Sequence, residues 1–246
     1  MIGALTEAAN ALAVIAPDLK TGSGKALEGA VLFHVALACE NGFNTVVARD
    51  HRGRRLRGRF ILRGGPGHLS DPRAASPAPS YFAVTISGSE FELHNSLEFT
   101  GSSGEDHEVD VSAVWADDAR DARESARRIL RGPPVLGVEL KELKAGSDLD
   151  KNVVRAFFGV IVDFIPAWSI RWMALGGSAG FHREFSQTLR PSQQFWILTT
   201  ARLSDPSQRF ARAQDINVQD ELDLNRLRDA TSKMGGYLHA LGTFGR

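Results

Sequence analysis

Two short segments constrain this chain more than any other feature: His107-Glu108-Val109-Asp110-Val111 and Val135-Leu136-Gly137-Val138-Glu139-Leu140-Lys141. Side chains along a strand point to opposite faces in turn. Glu139 and Lys141 therefore share one face, and Leu136, Val138 and Leu140 take the other. A carboxylate and an ammonium on an otherwise apolar strand carry a desolvation penalty unless something compensates them. A divalent cation compensates the acid, and a phosphate compensates the lysine. With Asp110 on a neighbouring strand, two carboxylates and one ammonium converge, which outlines a metal-dependent phosphodiesterase site. The plain alternative is a solvent-facing Glu–Lys pair at a strand edge, with Asp110 on the surface.

The pattern of Asp110 followed by Glu139-Leu140-Lys141 resembles the PD-(D/E)XK nuclease superfamily, whose signature is an acid on one strand and E-x-K on the next. Val109 stands where many members have proline. Members also carry a glutamate on the helix before these strands, and Glu28 in Gly24-Lys25-Ala26-Leu27-Glu28 is placed to match it. The resemblance spans roughly residues 23 to 165. It implies a restriction-endonuclease-like α/β fold, a mixed β-sheet flanked by α-helices. It also implies Mg²⁺ or Mn²⁺ held by Asp110, Glu139, the Leu140 carbonyl and Glu28, and Lys141 acting on the attacking water or the transition state. Such oxygen ligands suit hard cations. The activity implied is endonucleolytic cleavage of DNA, with a role in restriction or antiviral defence. An acid early in a helix also favours the helix dipole without any metal. Glu108 shares a face with Asp110 as an auxiliary ligand, and His107 reads as a strand-edge histidine.

The apolar content, 43% of 246 residues with 24% charged, is that of a globular protein long enough for one sizeable core. The expectation is one domain, with its core at about 23–200 and a C-terminal helix at about 220–241. Twenty-nine basic and 29 acidic residues cancel, so a nucleic-acid surface has to be local. The lone Cys39 lies in an apolar helical pattern, which fits a reducing cytoplasm. The start of the chain has no basic run and carries Glu7, so no signal peptide is expected. No apolar run is long enough for a membrane span, the stretch from Phe157 to Ile165 being interrupted by Asp163.

Helical spacing predicts helices over 4–16 and 25–40, the second capped by Ser23 and ended by Asn41-Gly42. A hairpin of Asn44–Arg49 and Leu56–Leu62 follows, then a Gly- and Pro-rich loop from Gly64 to Ser80. Strands are expected at 81–87, 90–99 and 107–115, a helix over Asp117–Arg131, and a helix over 149–165 capped by Asp148. Strands at 169–175 and 194–200 and a helix over 220–241, weakened at Gly235-Gly236, complete the pattern.

In the hairpin, alternation sets Arg55, Arg57 and Arg59 on one face. Such a ribbon tracks a phosphate backbone, or else keeps charge outward to protect a sheet edge. Thr21-Gly22-Ser23-Gly24-Lys25 is no nucleotide loop, because Leu19 and Ala26 replace required residues. One cysteine and scattered histidines exclude a structural zinc site. Cutting both strands of DNA with one site per chain implies a homodimer, a higher oligomer or a partner subunit. Two rivals stay open: a catalytically silent scaffold subunit with the same fold, and an unrelated α/β enzyme using Asp110 and Glu139 as an acid/base pair.

Overall fold

The computed structural model describes residues 24–40, 44–75, 77–125, 127–143, 147–165 and 193–244. Helix α1 (Gly24–Cys39) is apolar around most of its circumference, and such a helix needs cover on more than one side. It packs between the sheet and the long helix α5 (Leu224–Phe244). Leu27, Val31 and Val35 share one core with Leu227, Met234 and Leu238. Cys39 is buried at the end of α1, and burial pushes its thiol up to about 12. A Cβ on Gly235 would stand 2.7 Å from the Ala38 Cβ, so the two helices approach closely there. Gly235 is thus a packing contact while Gly236 faces open space, and α5 runs unbroken through both rather than weakening.

Strands β1 (Thr45–Arg49), β2 (Tyr81–Ile86), β3 (Ser89–Thr100) and β4 (Asp106–Trp115) form an antiparallel meander. The turn between β2 and β3 places Ser87 (φ 50°) and Gly88 (φ 88°) in the left-handed region, the geometry that two-residue hairpins require. Helix α2 (Ala116–Glu124) and the short β5 (Leu130–Arg131) lead to β6 (Leu136–Lys141), antiparallel to β4. Then come β7 (Asp148–Leu149), α3 (Lys151–Phe164), β8 (Gln194–Thr199), β9 (Arg202–Leu203), α4 (Asp205–Ala213) and β10 (Asn217–Gln219). The main sheet is eight-stranded, in the order β1-β2-β3-β4-β6-β8-β10 with β5 beside β3. It is mixed: β8 runs parallel to β6 and β10 parallel to β8.

Alternation along β6 and β8 divides the interior in two. Leu136, Val138, Trp196 and Leu198 join the core under α1 and α5, whereas Phe195 and Ile197 join the core under α3 and α4. Each large apolar side chain so buried contributes about 1.5–3 kcal/mol. Strands β3 and β4 behave differently. Phe91 and Leu93 belong to the α1 core, but Leu97 and Phe99 belong to the α3 core. Likewise Val111 and Ala113 belong to the first and Val109 to the second. The register itself does not slip, because Asn95 faces Val111 and Leu97 faces Val109. Between those pairs lie Ser96, with φ 45°, and Asp110. A left-handed residue rotates the strand without inserting one, so both strands exchange faces at this point.

Several expected elements differ. Leu56–Leu62 is not a strand. Leu56 N–H still reaches the Ala48 carbonyl at 2.8 Å, but further on Ile61 N–H donates to Ser80 Oγ (3.1 Å), the neighbouring Arg63 N–H donates to Asn95 Oδ1 (2.9 Å), and Phe60 stacks on Phe82. The expected ribbon of Arg55, Arg57 and Arg59 is therefore an irregular, exposed segment. The helix expected over Asp117–Arg131 stops at Glu124, and Leu130-Arg131 instead pairs with Phe99-Thr100. Asp150 rather than Asp148 caps α3, accepting from Asn152 N at 2.9 Å, because Asp148 is committed to β7. The segments 4–16 and 169–175, and Ser23, lie outside the described residues. Among the described residues, no helix is long and apolar enough to cross a membrane.

Candidate active site

The β4–β6 ladder pairs Ala113 with Leu136, Ser112 with Gly137 and Val111 with Val138, and then ends. One step further the strands part. There the Asp110 side chain replaces a strand carbonyl and accepts the Leu140 N–H at 2.7 Å. Strand β6 stays in register with β8 as far as Lys141 opposite Thr199. Glu139 and Lys141 thus sit on backbone that is anchored on one side and released on the other.

This placement brings charges together in a poorly hydrated spot. Burial, and next to it the Glu139 charge, push the Asp110 carboxyl up to about 7; Glu28 adds to the push, while the Leu140 N–H and Lys141 oppose it. Burial raises Glu139 as well, with Glu108 and Glu28 reinforcing it against the Lys141 cation. Burial alone would lower the Lys141 ammonium, but Glu139, Asp110 and Glu108 outweigh it and hold the proton on. Lys141 Nζ lies 2.5 Å from Glu139 Oε1. Two acids whose charges repel and one cation that partly relieves them define the cluster.

Glu28 reaches the same region from α1 and is only 5% exposed. Its carboxylate accepts from Lys25 Nζ at 2.8 and 3.0 Å, from Ser96 Oγ at 2.6 Å and from Asn95 Nδ2 at 3.1 Å. Lys25 also donates to Ser96 Oγ at 2.5 Å and lies 3.8 Å from Glu108. A cavity of about 370 Å³ opens beside the cluster. Glu108, Glu139 and Lys141 stand on one wall, and Val153, Phe157 and Val160 of α3 on the other. Asp110 and Glu28 do not line that cavity.

Asp110, Glu139, Lys141 and Glu28 therefore act on one another electrostatically. Arg55, Arg57 and Arg59 do not line the cavity. His107 pairs with Phe99 of β3 and sits on the part of β4 that β6 does not cover, so it is a strand-edge histidine as expected, with a partner of its own. Its Nε2 lies 2.7 Å from Asp163 Oδ2, which ties the end of α3 to β4. Sequence reasoning missed Asn95, Ser96 and Lys25 as parts of the cluster. The signal available was Asn95, a polar residue where the alternation of Phe91, Leu93, Leu97 and Phe99 calls for an apolar one, because a buried polar side chain needs a partner.

Among the described residues, no three His, Cys, Asp or Glu side chains are arranged as a ready-made metal cage. Asp110 and Glu139 offer two oxygen donors, and Glu28 is already engaged by Lys25. No protein-family model, no curated protein and no solved structure matches the chain.

Proposed function

We propose that this chain is a Mg²⁺- or Mn²⁺-dependent endonuclease that hydrolyses phosphodiester bonds of DNA, a cytoplasmic enzyme of the PD-(D/E)XK type. The observation that carries this reading is the crowding of Asp110 against Glu139 where β4 and β6 part, with Lys141 beside them. Two carboxylates that disfavour each other's charge form an electrostatic sink for a divalent cation. The oxygen-only donor set fits a hard cation: Asp110, Glu139 and the Leu140 carbonyl would hold it, with Glu28 as a further carboxylate once Lys25 gives it up. A bound cation supplies Lewis acidity and acidifies water. Lys141, kept protonated by its neighbours, faces the negative charge that grows on an attacked phosphate, and Glu139 holds the ammonium in place. The order of β3, β4, β6 and β8, with helices on both faces, also supports the reading. The exposed Arg55, Arg57 and Arg59 would meet the phosphate backbone. One such site per chain calls for a homodimer or a partner subunit to cut both strands.

One observation favours a second reading, a silent DNA-binding or scaffold subunit of the same fold. Lys25 neutralises Glu28 and Lys141 neutralises Glu139, so internal cations already serve two of the three acids. Incubation of supercoiled plasmid with and without Mg²⁺ or Mn²⁺ separates the two. The nuclease reading expects metal-dependent nicking that E139Q and K141M abolish. DNA binding with no cleavage in either metal would leave the scaffold. Cleavage that persists in both variants would move the chemistry elsewhere in the chain.

A further inference from the structure

The molecule has a second polar recess that shares no residue with the Asp110 cluster. It is a cavity of about 420 Å³ between α2 and the loops that follow β1. Five arginines line it: Arg52, Arg73, Arg120, Arg123 and Arg128, against the carboxylates of Asp71 and Glu124. Three of the five are committed. Arg128 lies 3.1 Å from Asp71, Arg120 pairs with Asp117, and Arg123 grips the buried Glu92 through two bonds of 2.7 and 2.5 Å. Arg52 and Arg73 have no carboxylate partner among the described residues. The Nη2 of Arg52 donates to the Ala74 carbonyl at 2.8 Å, and that contact holds its guanidinium at the rim.

The floor is built rather than incidental. Glu92 is 5% exposed, and His94 Nε2 lies 2.9 Å from its Oε2. The Tyr81 ring stacks on His94 at 5.1 Å and carries the Arg123 guanidinium 4.9 Å from its centroid. A guanidinium fixed by a buried bidentate carboxylate below and an aromatic face beside it loses little further freedom when it meets a ligand. The recess is thus a rigid floor, the ion-paired Arg123, under two guanidiniums that no carboxylate among the described residues engages, Arg52 being bound only to the neutral acceptors Ala74 O and His51 Nε2. A cavity of this volume lies within the range of small-molecule sites, about 300–1,000 Å³.

We infer that this arginine-lined recess binds a phosphate-bearing ligand of about mononucleotide size, held chiefly by Arg52 and Arg73 over the Arg123 floor. Planar guanidiniums matched to several oxygens favour phosphate over a single halide or a lone carboxylate. The ligand's phosphate belongs either to a free nucleotide or to the end of a nucleic-acid strand.

Isothermal titration of the full-length chain with inorganic pyrophosphate, in EDTA and against potassium chloride of matched ionic strength, tests this without reference to nuclease activity. Saturable binding is expected in the wild type and in K141M, and binding weaker by roughly tenfold or more in R52A/R73A. Because both arginines are exposed, the ligand-free melting temperature of R52A/R73A should match the wild type. Titration with a nucleoside triphosphate, and with one oligonucleotide bearing a 5′-phosphate or a 5′-hydroxyl, assigns the source. Binding of the triphosphate points to a free nucleotide, and a preference for the phosphorylated oligonucleotide points to a strand end. Absence of saturable pyrophosphate binding, equal affinity in R52A/R73A, or loss of binding in K141M instead would overturn the assignment.

Discussion

Replacing Asp110 with asparagine should stabilise this protein in metal-free buffer, although it removes a residue of the candidate site. The Asp110 carboxyl is pushed from the ordinary 3.8 up to about 7 by burial and by Glu139. A folded-state value above the unfolded one means that the group favours folding most below pH ~4, and that this contribution is lost as pH rises through ~7. At 1.36 kcal/mol per pH unit the full loss is about 4 kcal/mol. Asp110 and Glu139 titrate as a pair, so that energy belongs to both and D110N recovers part of it, about 2–4 kcal/mol at pH 8. Asparagine keeps an acceptor for the Leu140 N–H now bound at 2.7 Å, and its amide N–H can face Glu139. Urea unfolding in EDTA from pH 5 to pH 9 measures the difference. The advantage of D110N should shrink steadily from pH 8 to pH 5, where the wild type carries its own proton. Mg²⁺ added at pH 8 should raise the stability of the wild type more than that of D110N. A variant no more stable than the wild type at pH 8, or an advantage equal at pH 5 and pH 8, would refute the reasoning.

Three further outcomes follow from the packing and the surface. R55A/R57A/R59A should weaken DNA binding for every sequence and flatten its salt dependence, read from titrations at two salt concentrations, whereas an edge-protecting role leaves both unchanged. G235A should destabilise by about 1–3 kcal/mol in chemical denaturation, because its Cβ meets Ala38 at 2.7 Å, while G236A, with open space around it, should not. R123M should destabilise by about 3 kcal/mol by leaving the buried Glu92 with His94 as its one remaining partner among the described residues. Burial opposes ionisation of Glu92, but His94 and Arg123 outweigh it and hold the carboxyl at about 2, below its ordinary 4.5. In the wild type that contribution is present above pH ~4.5 and lost as pH falls through ~2, and R123M should bring the acid loss to higher pH.

The core of the candidate site was legible because its logic is local. Alternation in 107–111 and 135–141 states both the strands and the shared face of Glu139 and Lys141, and the antiparallel pairing then delivers Asp110. The same alternation misleads at 56–62. There the pairing with β1 ends after the Leu56 N–H bond to Ala48, and Ser80 takes both the N–H and the carbonyl of Ile61 instead. Nothing in the identity of Ser96 announces a left-handed backbone, so the exchange of faces was not legible. Strands of two or three residues, such as β7, β9 and β10, are too short to show a period. Asp148 and Asp150 are equivalent as helix caps in sequence, and only the pairing of Asp148-Leu149 with Arg202-Leu203 decides between them.

The exchange of faces at Ser96 and Asp110 also bears on how this molecule comes apart. The two ends of β3 and β4 are bonded into one ladder but glued to different oily compartments. The layer of α3 and α4 can therefore loosen while the meander stays clamped under α1 and α5. Amide protons at Leu97 and Phe99 should then trade with solvent through a partial opening of that end of the ladder, with those at Phe91 and Leu93 still protected. Asp110 lies on the boundary between the two cores. Its charge is thus placed where the fold can yield on one side without dissolving on the other.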